Sequence, residues 1–401
     1  MRANRIVLLP LLIITLTLQG CWDAREIPQL AIVSSMGIDK SATDDQYRVS
    51  FQVVNPSEIS AGITGAGGGR TTPVTVYSSR GKTIFEAIRK ASNTWPRQLF
   101  FSHARIIVIS EELAREGISD LLDLFERLNE TRLTSRVMIA RESSAEDVLN
   151  TITPIEKIPA SAVNGRLKFS SMLLSQNMEI QVDDVIRALG TPGTEPVING
   201  IRLIGNKEQG NKQKNVEQTE PQVHTEISGI AIFKNGKLKK WIDGMDARGV
   251  VRIQNKIKSS ADVLDCQEKK DAISIELLRS TTKVKAQLRG GEPFIHIAVK
   301  QEGSLNEIMC GINLQRPEEI AKLEQQWSEL VKEEVMGAVR AAQKEKCDVF
   351  GFSQALNRDN PDSWKKVAEK WDALFAECEV HVTVDSFIRH SGMRTKSYSV
   401  K

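Results

Sequence analysis

The chain has 401 residues, enough for two or three domains, and its 40% hydrophobic and 26% charged residues are typical of globular proteins. Its formal charge of +3 falls to +1 (52 basic against 51 acidic residues) without residues 1–20, which hold two arginines and no acidic residue. A chain so close to neutral has no bulk attraction for nucleic acid, and we exclude nucleic acid as a partner.

Residues 1–20 have the layout of a secretory signal peptide. Two arginines precede a mostly apolar run at 6–18, which is too short to span a membrane, since a spanning helix needs about 20 residues. Leu18-Gln19-Gly20-Cys21 then resembles a bacterial lipobox, although Gln19 is less usual there than a small residue. We therefore predict cleavage between Gly20 and Cys21, with diacylglyceryl and N-acyl chains on Cys21. The alternative is ordinary secretory cleavage that leaves Cys21 as a free thiol.

Residues 21–204 are predicted to form a mixed-sheet α/β domain. Alternating or continuous apolar residues predict its strands, and helical spacing of apolar residues predicts its helices. Because a helix connects the strands at 104–109 and 136–140, we expect these two strands to pair in parallel. The predicted strands are 28–40, 47–53, 104–109 and 136–140, and the predicted helices begin at Thr83 and cover 111–128, 145–151 and 178–190.

Residues 205–222 are predicted to be a linker, because they lack aliphatic periodicity and are rich in Gln, Asn, Lys and Glu. Residues 223–392 are predicted to form a C-terminal α+β domain, an antiparallel sheet with helices packed on one face, followed by a tail at 393–401. The predicted strands are 227–233, 272–278, 282–288, 294–301 and 379–389, with a hairpin at Asn235-Gly236, and the helices begin at Pro317 and after Pro361.

Four cysteines remain if Cys21 carries lipid: Cys266, Cys310, Cys347 and Cys378. They are compatible with two disulfides, but they are widely spaced and a domain of this size does not need disulfides to fold. We therefore favour buried thiols. The sequence contains no Cys/His cluster at metal-ligand spacing, so we expect no structural metal, and we expect no cofactor.

The sequence offers no catalytic constellation, and we predict that the protein is not an enzyme. It has no G-x-S-x-G motif and no cysteine in a context that would lower the thiol pKa. Its histidines stand far apart in sequence, and a positioned core or surface histidine is the favoured interpretation of each. They are His103, His224, His296, His381 and His390.

Tryptophans and lysines are the remaining candidates for binding. Trp327, Trp364 and Trp371 lie on apolar helix faces, which predicts core packing, whereas Trp95 and Trp241 flank turns and are freer to be exposed. A lysine cluster near the predicted hairpin indicates either contact with an anionic membrane or a solvated hairpin tip. It comprises Lys234, Lys237, Lys239 and Lys240.

Short motifs follow one another in order along the whole mature chain. They are GCWDAREI at 20–27, MGID at 36–39, FSHARII at 101–107, GIAIFK at 229–234 and DVFGF at 348–352. Together they resemble the C-subunit lipoproteins of bacterial spore germinant receptors, the Ger(x)C family. The hairpin departs from the family pattern at Lys239-Lys240-Trp241, where an aliphatic residue and a glycine are usual.

The resemblance implies a non-catalytic subunit of a nutrient germinant receptor, lipid-anchored on the outer face of the spore inner membrane. It implies two integral membrane partners, one of them transporter-like, and only indirect contact with the small-molecule germinant. The residues leave a second hypothesis, a solute-binding lipoprotein that captures the nutrient itself, which predicts two similar α/β lobes around a cleft. An anchored envelope hydrolase is disfavoured by the missing nucleophile, metal and paired acids.

Overall fold

The computed structural model describes residues 27–41, 45–56, 72–128, 130–267 and 269–390, which form two β-sheets with associated helices. The first sheet contains β1 (Leu30–Lys40), β2 (Tyr47–Val54), β3 (Val74–Gly81), β4 (Gln98–Phe100), β5 (Ile106–Ser110), β6 (Arg136–Ala140), β7 (Val197–Gly205), β8 (Val223–Lys234) and β9 (Lys237–Ile242). The second contains β10 (Ala261–Cys266), β11 (Lys269–Arg289), β12 (Glu292–Ile308) and β13 (Glu379–His390). The helices are α1 (Ile84–Lys90), α2 (Glu111–Glu116), α3 (Ser119–Arg127), α4 (Ala145–Asn150), α5 (Pro159–Leu173), α6 (Val182–Leu189), α7 (Lys214–Glu217), α8 (Gly244–Ile253), α9 (Pro317–Lys344), α10 (Phe352–Asp359), α11 (Pro361–Val367) and α12 (Trp371–Glu377).

Four parallel strands form the centre of the first sheet. β1, β5, β6 and β7 pair in this order, β2 and β3 continue it antiparallel beyond β1, and short β4 pairs with the start of β1. The predicted mixed sheet is confirmed, including the parallel pair β5 and β6 and the helix that Thr83 caps.

Helices cover both faces of this sheet, because the side chains of its central strands alternate between two apolar cores. Ile107 and Ile109 of β5 face a core shared with α1, α3 and α6, whereas Ile106 and Val108 face a core shared with α4 and α5. The predicted helix 111–128 is divided into α2 and α3 where the chain turns at Gly117.

The predicted division of the chain at 205–222 does not separate the two sheets. β8, which we placed in the second sheet, pairs antiparallel with β7, and β9 pairs with β8, so both extend the first sheet. The segment that connects β7 to β8 packs against the first unit, because the buried Asn215 amide donates to the carbonyls of Ile152 and Val223. The chain leaves the first sheet only after Ile242.

The second sheet has the order β10-β11-β12-β13. Its first three strands are antiparallel, whereas β13, which returns after the helices, is parallel to β12, so the sheet that we predicted as antiparallel is mixed. Buried and half-buried side chains alternate along most of β12, with Ile295, Ile297 and Val299 facing the helices. The α+β arrangement is confirmed.

The helices of the second unit carry its large apolar side chains. α9 begins at Pro317 as predicted and buries Trp327 completely. Trp364 of α11 and Trp371 of α12 pack edge to face with ring centroids 5.3 Å apart. All three tryptophans lie in the core, as predicted. Within the described residues, no helix has both the length and the apolar composition needed to cross a bilayer.

Candidate functional site

The predicted cleavage and lipidation residues, Gly20 and Cys21, lie outside the described residues, as does Trp22 behind them. The described chain begins with the 3-10 helix Ile27–Gln29, which leads directly into β1. Because an extended chain spans at most about 3.5 Å per residue, the stretch from Cys21 to Ile27 reaches no further than about 21 Å. Any lipid on Cys21 therefore lies close to the start of β1.

Asp39, which ends the MGID motif, caps a helix on the face of the sheet. Its carboxylate accepts hydrogen bonds from the backbone N–H groups of Ala145 (2.7 Å) and Glu146 (3.0 Å), the first residues of α4. Burial raises the pKa of Asp39 to about 6, because lost solvation outweighs these two hydrogen bonds, which favour the charged form. The carboxylate fixes α4 against the end of β1.

A cleft of about 630 Å³ opens beside Asp39, where the parallel strands β1, β5 and β6 end. Ligands of parallel sheets bind at this kind of edge, outside the carboxyl ends of the strands. Its walls carry both signs of charge, which suits a small polar solute that carries both. The ion pairs at the cleft are Lys40–Glu116 (2.5 Å), Arg48–Glu146 (2.6 Å) and Arg115–Glu111 (2.5 Å).

Asp348 opens the DVFGF motif, and its buried carboxylate accepts five hydrogen bonds. Oδ1 accepts from the backbone N–H groups of residues 350–352 at 3.0–3.2 Å. Oδ2 accepts from the N–H of Ser353 (2.7 Å) and from the indole N–H of Trp371 (3.0 Å). Burial raises the pKa of Asp348, while these donors favour its charged form. The motif residue thus fixes the start of α10 and ties it to α12.

The loop between α6 and β7 forms the junction between the first sheet and the second unit. Gly193 has a φ of +74°, and a Cβ there would lie 2.7 Å from the Trp364 ring and 2.9 Å from the Trp371 ring, so the close approach requires glycine. Two residues on, the Glu195 N–H donates to the carbonyl of Asp348 at 3.0 Å. The loop therefore joins the first sheet to the residues that Asp348 organises.

Lys234, at the end of β8, adds an ionic contact to this junction. Its ammonium lies 3.1 Å from Glu195 and 2.5 Å from Asp372 of α12, and its side chain is only 13% exposed. Burial raises the pKa of Glu195 in spite of this pairing. Lys234 is thus not part of a solvated hairpin tip, whereas Lys237 and Lys239 are exposed.

The two tryptophans that we expected to be freer are both half-buried. The Trp241 indole donates to Glu111 at 3.1 Å, and the Arg141 guanidinium lies 4.8 Å from the centre of its ring. Trp95 packs against Tyr77, with ring centroids 3.6 Å apart. Trp241 therefore has a structural role, since it joins β9 to α2.

A buried charge network crosses the second unit. Glu334 of α9 accepts from the guanidinium groups of Arg248 (2.6 Å) and Arg252 (2.7 Å) on α8. Arg248 also pairs with Asp262 at 2.8 Å, and Arg252 donates to Gln301 of β12 at 2.8 Å. The side chains of Glu334, Arg252 and Asp262 are wholly buried, so removing one partner would leave an uncompensated charge in the core. Sequence reasoning missed this network, since its members come from four separate elements.

Two histidines that we expected to stand apart lie side by side. His296 and His381 are opposite residues of β12 and β13, with ring centroids 5.5 Å apart. The pair was not predictable from the sequence, because its two members are far apart along the chain. Among the described residues, no three His, Cys, Asp or Glu side chains converge in a way that could hold a metal ion.

Cys266 and Cys310 form a disulfide, which corrects our prediction of buried thiols for these two residues. The strand order brings the end of β12 beside the β10–β11 hairpin and places their α-carbons 6.3 Å apart, within bonding range. Cys347 and Cys378 are buried free thiols, as predicted. Burial raises the pKa of each to about 12.

Two family models together match most of the chain. Residues 23–203 match the spore germination protein N-terminal domain, and residues 228–392 match the spore germination B3/GerAC-like C-terminal domain. These two domains in tandem define a class of spore germination proteins. The chain belongs to this GerAC-like family, which confirms the resemblance drawn from its motifs.

Individual relatives match over nearly their whole length. The chain is 34% identical over 387 residues to spore germination protein KC of Bacillus subtilis (strain 168), covering 96% of this chain and 95% of the relative. It is 26% identical over 386 residues to spore germination protein B3 of the same organism, covering 91% and 92%. The crystal structure of the GerBC protein shares the fold, with a TM-score of 0.56 at 20% identity over 88% of this chain and 97% of that one.

Proposed function

We propose that this protein is a non-catalytic, lipid-anchored subunit of a nutrient germinant receptor, needed for spore germination in response to small nutrients. The observation that carries the proposal is the tandem of GerAC-like domains directly behind the lipobox cysteine Cys21. The protein sits on the outer face of the spore inner membrane and binds two integral membrane subunits, one of them transporter-like. Its contact with the nutrient is indirect.

The chemistry of the described residues supports a role through contacts. The most deeply buried carboxylates, such as Asp39, Asp348 and Glu334, are occupied by backbone N–H groups or arginines and hold helices in place. Cys347 and Cys378 are buried with raised thiol pKa values, which makes them poor nucleophiles.

Affinity purification of the tagged full-length chain from spore membranes tests the proposal. We expect two integral membrane proteins to co-purify, and we expect the mature chain to carry the added mass of the acyl groups. Cys21→Ala should remove this mass and release the chain from membranes, whereas the matched lipobox variant Gln19→Ala should keep both. The proposal fails if the wild-type chain brings down no membrane protein and a deletion strain still germinates normally on nutrients.

The charged cleft beside Asp39 favours a second candidate, capture of a nutrient by the chain itself. Calorimetry of the full mature chain with amino acids and sugars separates the two functions. Micromolar binding that is lost in Arg48→Gln, inside the cleft, but kept in Lys332→Gln, on the exposed side of α9, would favour capture. Absence of any heat with the wild-type chain would leave the receptor subunit as the better candidate.

A further inference from the structure

The edge of the first sheet at which the parallel strands begin is the edge closest to the predicted anchor; we call it the amino edge. β1 starts there at Leu30, and nine residues from Cys21 to Leu30 span at most about 32 Å. The loop before β5 lies beside β1, since the Arg105 N–H donates to the carbonyl of Ser34. The start of β6 lies beside that loop in turn, since the Arg136 N–H donates to the carbonyl of Arg105.

Three exposed arginines, Arg97, Arg105 and Arg132, lie along the amino edge, each just before a strand or in the loop that leads to one. Arg97 precedes β4, which pairs with the first residues of β1. In the described part of the chain, no carboxylate lies within 4.0 Å of the three guanidinium groups, in contrast to the paired charges of the cleft at the opposite edge. Near the starts of β4, β5 and β6, these three arginines therefore present guanidinium groups with no carboxylate partner among the described residues, although Asp183 and Asp184 lie at the same edge.

Within the described residues, the largest group of exposed apolar side chains next to one another in sequence comes shortly before the segment that crosses the start of β7. Phe169, Met172, Leu173 and Leu174, at the end of α5, are 37–61% exposed. We call them the apolar end of α5. The segment that follows crosses the start of β7, where the Asn199 amide binds the backbone of Met178. β7 lies three strands from β1, which is about 14 Å at ordinary strand spacing.

We propose that the amino edge is a membrane-contact surface: Arg97, Arg105 and Arg132 bind anionic phospholipid headgroups while the apolar end of α5 enters the interfacial region of the bilayer. The inference rests on the proposed function to the extent that Cys21 supplies the anchor. Exposed apolar groups of this size mark interaction sites, and basic residues combined with aromatic and aliphatic ones suit the boundary between headgroups and acyl chains. The short tether and the charge favour a lipid surface over a protein partner.

Vesicle flotation of the full mature chain with Cys21→Ser isolates this surface from the acyl anchor. We expect the chain to float with phosphatidylcholine vesicles that contain phosphatidylglycerol and to be released by high salt. The triple variant Arg97→Gln, Arg105→Gln, Arg132→Gln should lower the partition coefficient by roughly fivefold per arginine, hence on the order of 100-fold. The matched triple Lys283→Gln, Lys285→Gln, Lys332→Gln, which removes the same charge from exposed residues of the second unit, should change it by less than about twofold.

The apolar contribution is measured with Phe169→Ser, Leu173→Ser. Since both side chains are exposed, we expect an unchanged urea midpoint but a drop in vesicle partition of roughly tenfold. Lack of binding to anionic vesicles, or equal loss in the two charge triples, would overturn the inference. Unchanged vesicle binding together with loss of co-purifying membrane proteins in the serine variant would show that the surface docks on protein instead. If the wild-type chain co-purifies with no subunit yet binds vesicles, the receptor proposal fails while the surface stands.

Discussion

Asp348→Asn is the sharpest test of how the second unit is held together. The substitution keeps the size of the side chain but replaces one carboxylate oxygen with an NH2 group. Each oxygen of Asp348 now accepts only from donors, three at Oδ1 and two at Oδ2. Whichever way the new amide turns, its NH2 group faces at least two buried N–H groups and leaves them without an acceptor.

The expected cost follows from that count. A buried donor without a partner costs about 1–3 kcal/mol, so two donors cost about 2–6 kcal/mol. Part of this is recovered, because burial raises the pKa of Asp348 and the neutral amide avoids the desolvation of a charge. We therefore expect Asp348→Asn to lower the free energy of unfolding by about 2–4 kcal/mol.

Urea unfolding followed by tryptophan fluorescence measures this change, because Trp371 binds the same carboxylate. Asp362→Asn is the matched control: it removes a charge from the first turn of α11, where the carboxylate is 87% exposed and pairs with Lys365. The control should cost less than about 0.5 kcal/mol. If Asp348→Asn is as mild as the control, the carboxylate does not organise the DVFGF motif and our reasoning is wrong.

Asp39→Asn should reduce the pH dependence of stability. Because the pKa of Asp39 is raised from 3.8 to about 6, the protonated side chain contributes its full stabilisation below pH 3.8. About 3 kcal/mol of that stabilisation is lost as the pH rises through 6. Urea unfolding at a series of pH values should show a smaller decline in the variant over that window. Cys266→Ser with Cys310→Ser should lower the unfolding free energy by about 2–4 kcal/mol, since the disulfide joins residues 44 apart; a loss that persists when both proteins are reduced would contradict this. Glu334→Gln leaves two buried arginines underpaired and should cost about 3–5 kcal/mol by urea unfolding, whereas Glu333→Gln on the exposed side of α9 should cost less than about 0.5 kcal/mol.

Elements whose pattern is local were predictable from the sequence. The strands near 104–109 and 136–140 and the long helix after Pro317 appear where apolar periodicity placed them, whereas the predicted helix 111–128 is divided in two. We did not predict α5, because its apolar residues lie on both sides of the helix. Val163 and Leu167 are buried, while Phe169 and Leu173 are exposed. A helix without a single apolar stripe gives no periodic signal.

Pairings between distant segments were not predictable in the same way. The strand β8 has the same apolar pattern whichever sheet it joins, and only its register with β7 decides between them. The Cys266–Cys310 bond likewise depends on where β12 ends relative to the β10–β11 hairpin. Asp39 and Asp348 belong to motifs that carry the family resemblance, but their role as helix caps follows from distances that the sequence does not contain.

The capping carboxylates and the junction together give a structural role to residues of several motifs. Gly193 lies against two indole rings, Glu195 binds the backbone of Asp348, and Lys234 joins Glu195 to Asp372. Separating the two sheets would expose those rings and break the Lys234–Asp372 ion pair, so these contacts hold the two units together. If the chain acts through contacts with other subunits, as we propose, its binding surfaces must keep fixed positions relative to one another. The contacts of Gly193 and Asp348 supply part of that rigidity at the start of β7, and the cleft beside Asp39 lies outside this junction.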